Sequence, residues 1–274
     1  MTGTALIAGQ GALPRQLAHS MSLAGQSFVV AEMEGFPCDI PGAAPLRFRI
    51  ERLAPFLDHL AGEGVTRVVF AGSLRRPRID PELIDPRTAT LVPRLLAAFQ
   101  QGDDTLLREV VAIFEEWDFS VVGVKDISPD LVPGAGVLAG EVSDADRRDA
   151  TRAAEIVAAI GPMDIGQGAV VAQGLCLAIE SLPGTDAMLG FVADHAAHLR
   201  PDPKGGRGVF YKAPKPGQDM RMDLPTLGPE TVARAAKAGL AGIAWEAGGV
   251  ILLDRAAMIA EAEKAGLFLW AREP

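Results

Sequence analysis

The sequence predicts an α/β protein of two domains. The first is a Rossmann-like parallel sheet with helices, the second a mixed α/β domain, and an active-site cleft is expected between them. Three observations carry this. Short apolar runs alternate with helically spaced segments through the first half, as parallel strands joined by crossover helices do. A glycine turn, Gly9-Gln10-Gly11, separates the first apolar run from the first helical segment, where doubly wound folds place a ligand loop. Periodicity then fails over residues 128–143 (SPDLVPGAGVLAGEVS), where two prolines and three glycines interrupt the chain. The expected domains are therefore 1–130 and 144–274, with a linker at about 131–143.

Taken in order, Thr4–Ala8 is a strand, Leu13–Ala24 a helix, and Phe28–Ala31 a second strand. A helix over Glu51–Gly62 leads to a strand at Arg67–Phe70. Gly102-Asp103-Asp104-Thr105 reads either as a metal-binding acidic pair or, in the favoured reading, as a helix start whose carboxylates complement the dipole, and Leu106, Leu107, Val110, Val111 and Phe114 then share one face. Phe119–Val124 is the next strand. Past the break come a helix at Asp144–Ile160, strands at Gly168–Gln173 and Leu175–Glu180, and a helix at Asp186–Leu199. Strand-like 209–211, a helix at Pro229–Ala238, strands at Gly242–Trp245 and Val250–Leu253, a helix at Asp254–Lys264 and a strand at Leu267–Trp270 complete the chain.

Composition narrows the function. Hydrophobic residues make up 49% of the 274, with mean hydropathy +0.20, which suits a folded α/β protein. The net charge of −9 argues against a nucleic-acid partner. Residues 200–221 reverse that sign, with six Lys or Arg against two Asp, which fits a small anionic ligand. Cys38 and Cys176 form no CxxC pair, so neither a disulfide framework nor a zinc knuckle is expected. Met1 runs straight into TALIAG without a basic leader, and no run of about 18 apolar residues occurs. The expectation is a cytoplasmic, soluble protein, with peripheral contact to a membrane left open.

The most informative stretch is 208–231, GVFYKAPKPGQDMRMDLPTLGPET. Prolines and glycines threaded through it exclude a regular helix. Lys212, Lys215 and Arg221 alternate with Asp219 and Asp223. Cations neutralise phosphate oxygens, carboxylates hold a metal or orient water, and stiff turns keep both in place. Asp223 is the first candidate for essential chemistry, because Leu224-Pro225 and the Gly228-Pro229 turn fix its backbone from one side.

Other motifs are weaker. Gly9 and Gly11 suit a phosphate loop, with Glu32 ending the next strand where a ribose-binding acid belongs; Pro14 replaces the third glycine, and a plain tight turn is the competing reading. Arg75, Arg76 and Arg78 follow a predicted parallel strand and can clamp phosphates, or can be a solvated basic loop. Glu180 and Gly184-Thr185-Asp186 bring two acids and a hydroxyl close together, though Thr185 or Asp186 also suits a helix cap. His195 and His198 lack the spacing of a zincin pair. No P-loop and no G-x-S-x-G elbow is present.

Six segments together resemble the LpxI family of UDP-2,3-diacylglucosamine pyrophosphatases. They are LIAGQGALP (6–14), AGSLRRP (71–77), GDDTLLREV (102–110), DIGQGAVVAQG (164–174), ESLPGTDAML (180–189) and KAPKPGQDMRMDLPTLGPET (212–231). The resemblance implies a Mg²⁺-dependent hydrolase of lipid A biosynthesis that splits UDP-2,3-diacylglucosamine into UMP and 2,3-diacylglucosamine 1-phosphate. It implies a homodimer, peripheral at the inner face of the inner membrane. The family's essential aspartate maps onto Asp223. Lys212, Lys215 and Arg221 are then expected to stabilise transition-state charge. Asp223, Asp219 and Asp186 are the expected metal ligands, and Gly9, Gly11, Arg75, Arg76, Gln167, Thr185 and Gln218 the expected substrate contacts. The rival from another class is a non-catalytic carrier of a nucleotide sugar or lipid. A nicotinamide-dependent oxidoreductase, resting on Gly9, Gly11 and Glu32 alone, is weaker.

Overall fold

The computed structural model describes residues 3–74, 77–101 and 103–274. The chain divides into two compact units: residues 1–129 with 219–223, and residues 130–218 with 224–274. Asp219–Asp223 thus belongs with the first unit, although it lies deep in the second half of the sequence.

The first unit is built on β1 (Gly3–Ala8), α1 (Leu13–Leu23), β2 (Phe28–Met33), β3 (Leu46–Phe48), α2 (Leu53–Gly62), β4 (Val65–Ala71), α3 (Val92–Gln101), α4 (Asp103–Glu116), β5 (Ser120–Val122) and the short α5 (Val124–Ile127). Its sheet has the order β3-β2-β1-β4-β5, and every pairing is parallel. The near-continuous apolar runs of β1 and β4 follow from burial on both faces. On one face Ala5, Ile7 and Val68 meet Leu57 and Leu60 of α2, Leu95 of α3 and Phe114 of α4. On the other, α1 lies against β1, β4 and α5 and buries Leu17 and Met21. The strand order reverses between β1 and β4, which sets the switch point at their C-terminal ends.

The second unit contains β6 (Gly136–Ala139), α6 (Asp144–Ile160), β7 (Gly168–Ala172), β8 (Leu175–Ile179), α7 (Gly184–Phe191), β9 (Val209–Lys212), β10 (Thr226–Leu227), α8 (Pro229–Lys237), β11 (Gly242–Glu246), β12 (Ile251–Leu252), α9 (Arg255–Ala265) and β13 (Phe268–Arg272). Its larger sheet runs β6-β13-β11-β9-β7-β8. The central β13, β11 and β9 are parallel, while β6 and β7 join antiparallel. Phe210 and Trp245 are fully buried on the face covered by α7, α8 and α9, and each such side chain contributes about 2 kcal/mol or more. The opposite face packs Tyr211 and Ala244 against Ala150, Ala153 and Val157 of α6. Ser143 starts α6 with a capping box, its hydroxyl accepting from Asp146 N and its own N–H donating to Asp146 Oδ2 (3.2 and 3.1 Å).

Two expectations change. The segment expected as linker, 131–143, holds edge strand β6, paired with β13 despite its glycines. An edge strand needs only one partner, so its residues carry no burial period on both faces. The helix expected over Asp186–Leu199 ends at Phe191 and continues as a π-turn over Val192–Ala196.

Candidate active site

At the C-terminal edge of the parallel sheet, the loops after β1 and β4 are tied together. Gly9 N–H donates to the Ala71 carbonyl (2.8 Å), and Gln10 and Ser73 exchange two backbone bonds of 2.9 Å. A Cβ on Gly9 would stand 2.6 Å from the Ser73 carbonyl oxygen, and one on Gly72 2.6 Å from that of Gln10. Gly9 therefore serves loop-to-loop approach. Gly11, at φ +101°, meets nothing within 4 Å and turns the chain into α1. The N-cap of α1, Ala12, offers no side-chain hydrogen bond, so the first-turn N–H groups keep their capacity for an anion. Pro14 is the second residue of that helix, where its missing N–H costs nothing.

Glu32 does not fit a ribose. It is buried, accepting from Cys38 N (2.9 Å) and Arg47 Nε (2.8 Å), and these bonds hold its carboxyl below the usual range against the opposing effect of burial. The oxidoreductase reading loses its acid.

Asp219–Asp223 docks on the same unit. Asp219 takes the Arg221 guanidinium in a fork, with Nε to Oδ1 at 3.0 Å and Nη2 to Oδ2 at 2.7 Å, and also accepts from Arg221 N. Arg221 Nη1 donates to Glu115 Oε1 of α4 at 2.7 Å. Gly123, just past β5, lets the strap approach, since a Cβ there would lie 3.3 Å from the Met220 carbonyl oxygen. Met222 packs into the core beneath. Hydrogen bonding from Arg221 lowers the Asp219 carboxyl, and Asp219 raises the guanidinium in turn. The pair is thus an anchor: the expected roles of Arg221 as a charge stabiliser and Asp219 as a metal ligand meet groups already committed to each other. Asp223, at the end of the strap, is exposed.

The second unit holds the lysines. Lys212 ends β9 at 5% exposure. Its Nζ donates to Thr185 Oγ1 (2.6 Å), and Thr185 Oγ1 lies 3.1 Å from Glu180 Oε1. Glu180 Oε2 is buried, without a hydrogen-bond partner, at 3.8 Å from Lys212 Nζ. Lys215 pairs with Asp164. Residues 215–218 form a turn in which Gln218 N donates to the Lys215 carbonyl and Gln218 Oε1 accepts from Lys215 N (2.9 Å). Pro216 and Gly217, at φ +78°, are the residues such a turn demands. Gln167 Oε1 is buried without a partner, an acceptor that a ligand N–H or O–H would satisfy. Asp186 faces Arg234 Nε at 3.3 Å.

Among the described residues, no three His, Cys, Asp or Glu side chains converge to hold a metal ion. His195 and His198 are exposed, as is Arg78; Arg75 and Arg76 lie outside the described residues, as do Gly102 and the side chain of Asp103. A cavity of about 800 Å³ between α1, β2 and residues 40–44 contains none of the expected site residues. Sequence reasoning missed Glu115 and Gly123, which hold the strap, and did not rank Glu180 as a site residue. For Glu180 a signal existed: an acid ending an apolar strand, opposite the Gly166-Gln167-Gly168 run.

Residues 3–131 match the model of the LpxI N-terminal domain, and residues 134–270 that of the LpxI C-terminal domain. The chain is 42% identical to the "UDP-2,3-diacylglucosamine pyrophosphatase LpxI" of Caulobacter vibrioides, over 98% of this chain and 97% of that protein.

Proposed function

The chain belongs to the LpxI family, and from that premise we propose that it hydrolyses the pyrophosphate bond of UDP-2,3-diacylglucosamine to UMP and 2,3-diacylglucosamine 1-phosphate. The observation that carries this is likeness to a protein of that name over nearly the full length of both chains. The geometry of each unit supports it. Asp223 stands on a strap held by Glu115 of α4 and lying against Gly123 just past β5, while Lys212 is held rigid at the end of a buried strand.

The reaction adds water across a P–O–P bridge, so one phosphorus gains an oxygen and the bridging oxygen leaves with the other product. Negative charge accumulates on the phosphoryl and leaving oxygens and must be met by fixed cations. Lys212 and Lys215 supply that charge. Asp223, an exposed carboxylate on the strap, orients the attacking water. Arg221 and Asp219 position the strap. Gln167 accepts from the sugar or its amide, and the α1 N-terminus with Gly11 suits a phosphate.

Magnesium belongs to the proposal in a reduced form. Mg²⁺ is usually held by one or two carboxylates together with substrate phosphates, a donor set that Asp223 and the diphosphate can furnish. When bound there it would neutralise charge on the diphosphate oxygens. No helix is long and apolar enough to cross a membrane. The exposed Met163, Ile165 and Leu182 support peripheral contact with the membrane that carries the lipid. The homodimer rests on the family resemblance.

Purified protein incubated with UDP-2,3-diacylglucosamine, with Mg²⁺ or with EDTA, should release UMP in the first case and stop in the second. Substrate binding without UMP in either would favour the carrier. UDP-glucosamine lacking acyl chains should turn over poorly.

A further inference from the structure

Glu180 has no assigned role, yet the fold clears space for it at two positions. A Cβ on Gly166 would stand 2.1 Å from the Glu180 carbonyl oxygen, and one on Gly168 2.6 Å from Glu180 Oε2. Glu180 N also donates to the Gly168 carbonyl at 2.8 Å, extending the β7–β8 ladder by one residue. The two glycines flanking Gln167 therefore seat a carboxylate in the interior, at 8% exposure. Burying an ionised carboxylate is costly unless a cation and hydrogen bonds compensate it. Lys212 and Thr185 are the compensation.

The direction of the bonds follows from the ionised ends. A carboxylate only accepts and an ammonium only donates. The Thr185 hydroxyl must then give its one hydrogen to Glu180 Oε1 and receive one from Lys212 Nζ. Its proton is committed, so it serves as a relay and not as a donor to phosphate. Charged groups on the surrounding elements are Asp186 on α7, Arg234 on α8 and Glu246 on β11. Asp186 is paired with Arg234. Glu246 follows Trp245, which is in register with Lys212, and so points to the other face of the sheet.

We propose that Glu180 is a positioning residue, which through Thr185 fixes the direction of the Lys212 ammonium and keeps it charged for an anionic ligand. That the ligand is a diphosphate rests on the pyrophosphatase reading; the Glu180–Thr185–Lys212 arrangement does not. A lysine side chain is ordinarily mobile, and this arrangement orders it before any ligand arrives.

The Lys212 titration can be followed by NMR of ¹³C-lysine-labelled full-length protein, with K212R assigning the signal. Glu180→Gln removes the countercharge at nearly constant volume and should lower the Lys212 midpoint by about one unit or more, since burial then acts unopposed. Thr185→Val should lower it by a smaller step and Thr185→Ser should leave it unchanged. In turnover, Glu180→Gln should move the alkaline limb of kcat/KM down by the same interval and recover at lower pH. An unshifted Lys212 midpoint in both Glu180→Gln and Thr185→Val, or an activity loss uniform with pH, overturns the proposal. The NMR readout needs no substrate, so a wild-type chain inactive toward UDP-2,3-diacylglucosamine would remove the proposed function and leave this test standing.

Discussion

The two ends of the stretch from Lys212 to Asp223 are organised by opposite means. Lys212 is the last residue of β9, buried, with its charge met by Glu180 and Thr185 more than twenty residues away in sequence. Asp223 is the exposed end of a half-buried strap held at Arg221 and Gly123. Burial preorganises the cation but requires an internal countercharge. Exposure keeps the carboxylate in contact with water and transfers the ordering to a neighbouring clamp. Each end can therefore be ordered while only the buried one bears a desolvation cost.

Substitution should separate these ends. The largest effect is expected at Asp223: Asp223→Asn should lower kcat by about a thousandfold or more while unfolding midpoints barely move. Near-native turnover would mean the exposed end carries no chemistry. Lys212→Met should act the other way, costing about 3 kcal/mol of stability because Glu180 is left buried without its cation. Urea unfolding at constant m-value would measure it, and an unchanged midpoint would dissolve the contrast in burial.

The smallest effect belongs to the clamp. Asp219 has its carboxyl lowered in the fold, so its contribution is complete above the unfolded value near ~3.9 and is lost as pH falls through the lower folded one. Asp219→Asn should cost about 1 kcal/mol at neutral pH and progressively less in strong acid, read from unfolding midpoints across the acid range. A pH-independent difference would show that the ion pair is not the anchor.

Where local pattern decides structure, the sequence was readable. The Asp144–Ile160 helix has the bounds expected, because a capping box and an unbroken period announce it. Strands β1, β2 and β4 lie where apolar runs placed them, within a residue or two. The strands β3 and β6 were not legible: each is three or four residues long, and each exists through a ladder to a partner the local sequence does not encode. Helix α3 went unread as well. At the site, Lys212, Thr185 and Glu180 stood in recognisable motifs, and the structure supplied only their mutual bonds. The Arg221–Glu115 bond spans 106 residues and leaves no local trace. Arg221 looked like a free cation for that reason.

The strap has a consequence for heredity. Family boundaries place 219–223 inside the C-terminal portion, 134–270, yet its anchoring residues Glu115 and Gly123 are encoded in the N-terminal one. A chimera joined near residue 132 from two divergent relatives would inherit Asp223 from one parent and its mooring from the other. Where the parent of the first half lacks a carboxylate at Glu115, the strap would lose that tie and keep only the Asp219 fork and the close approach at Gly123.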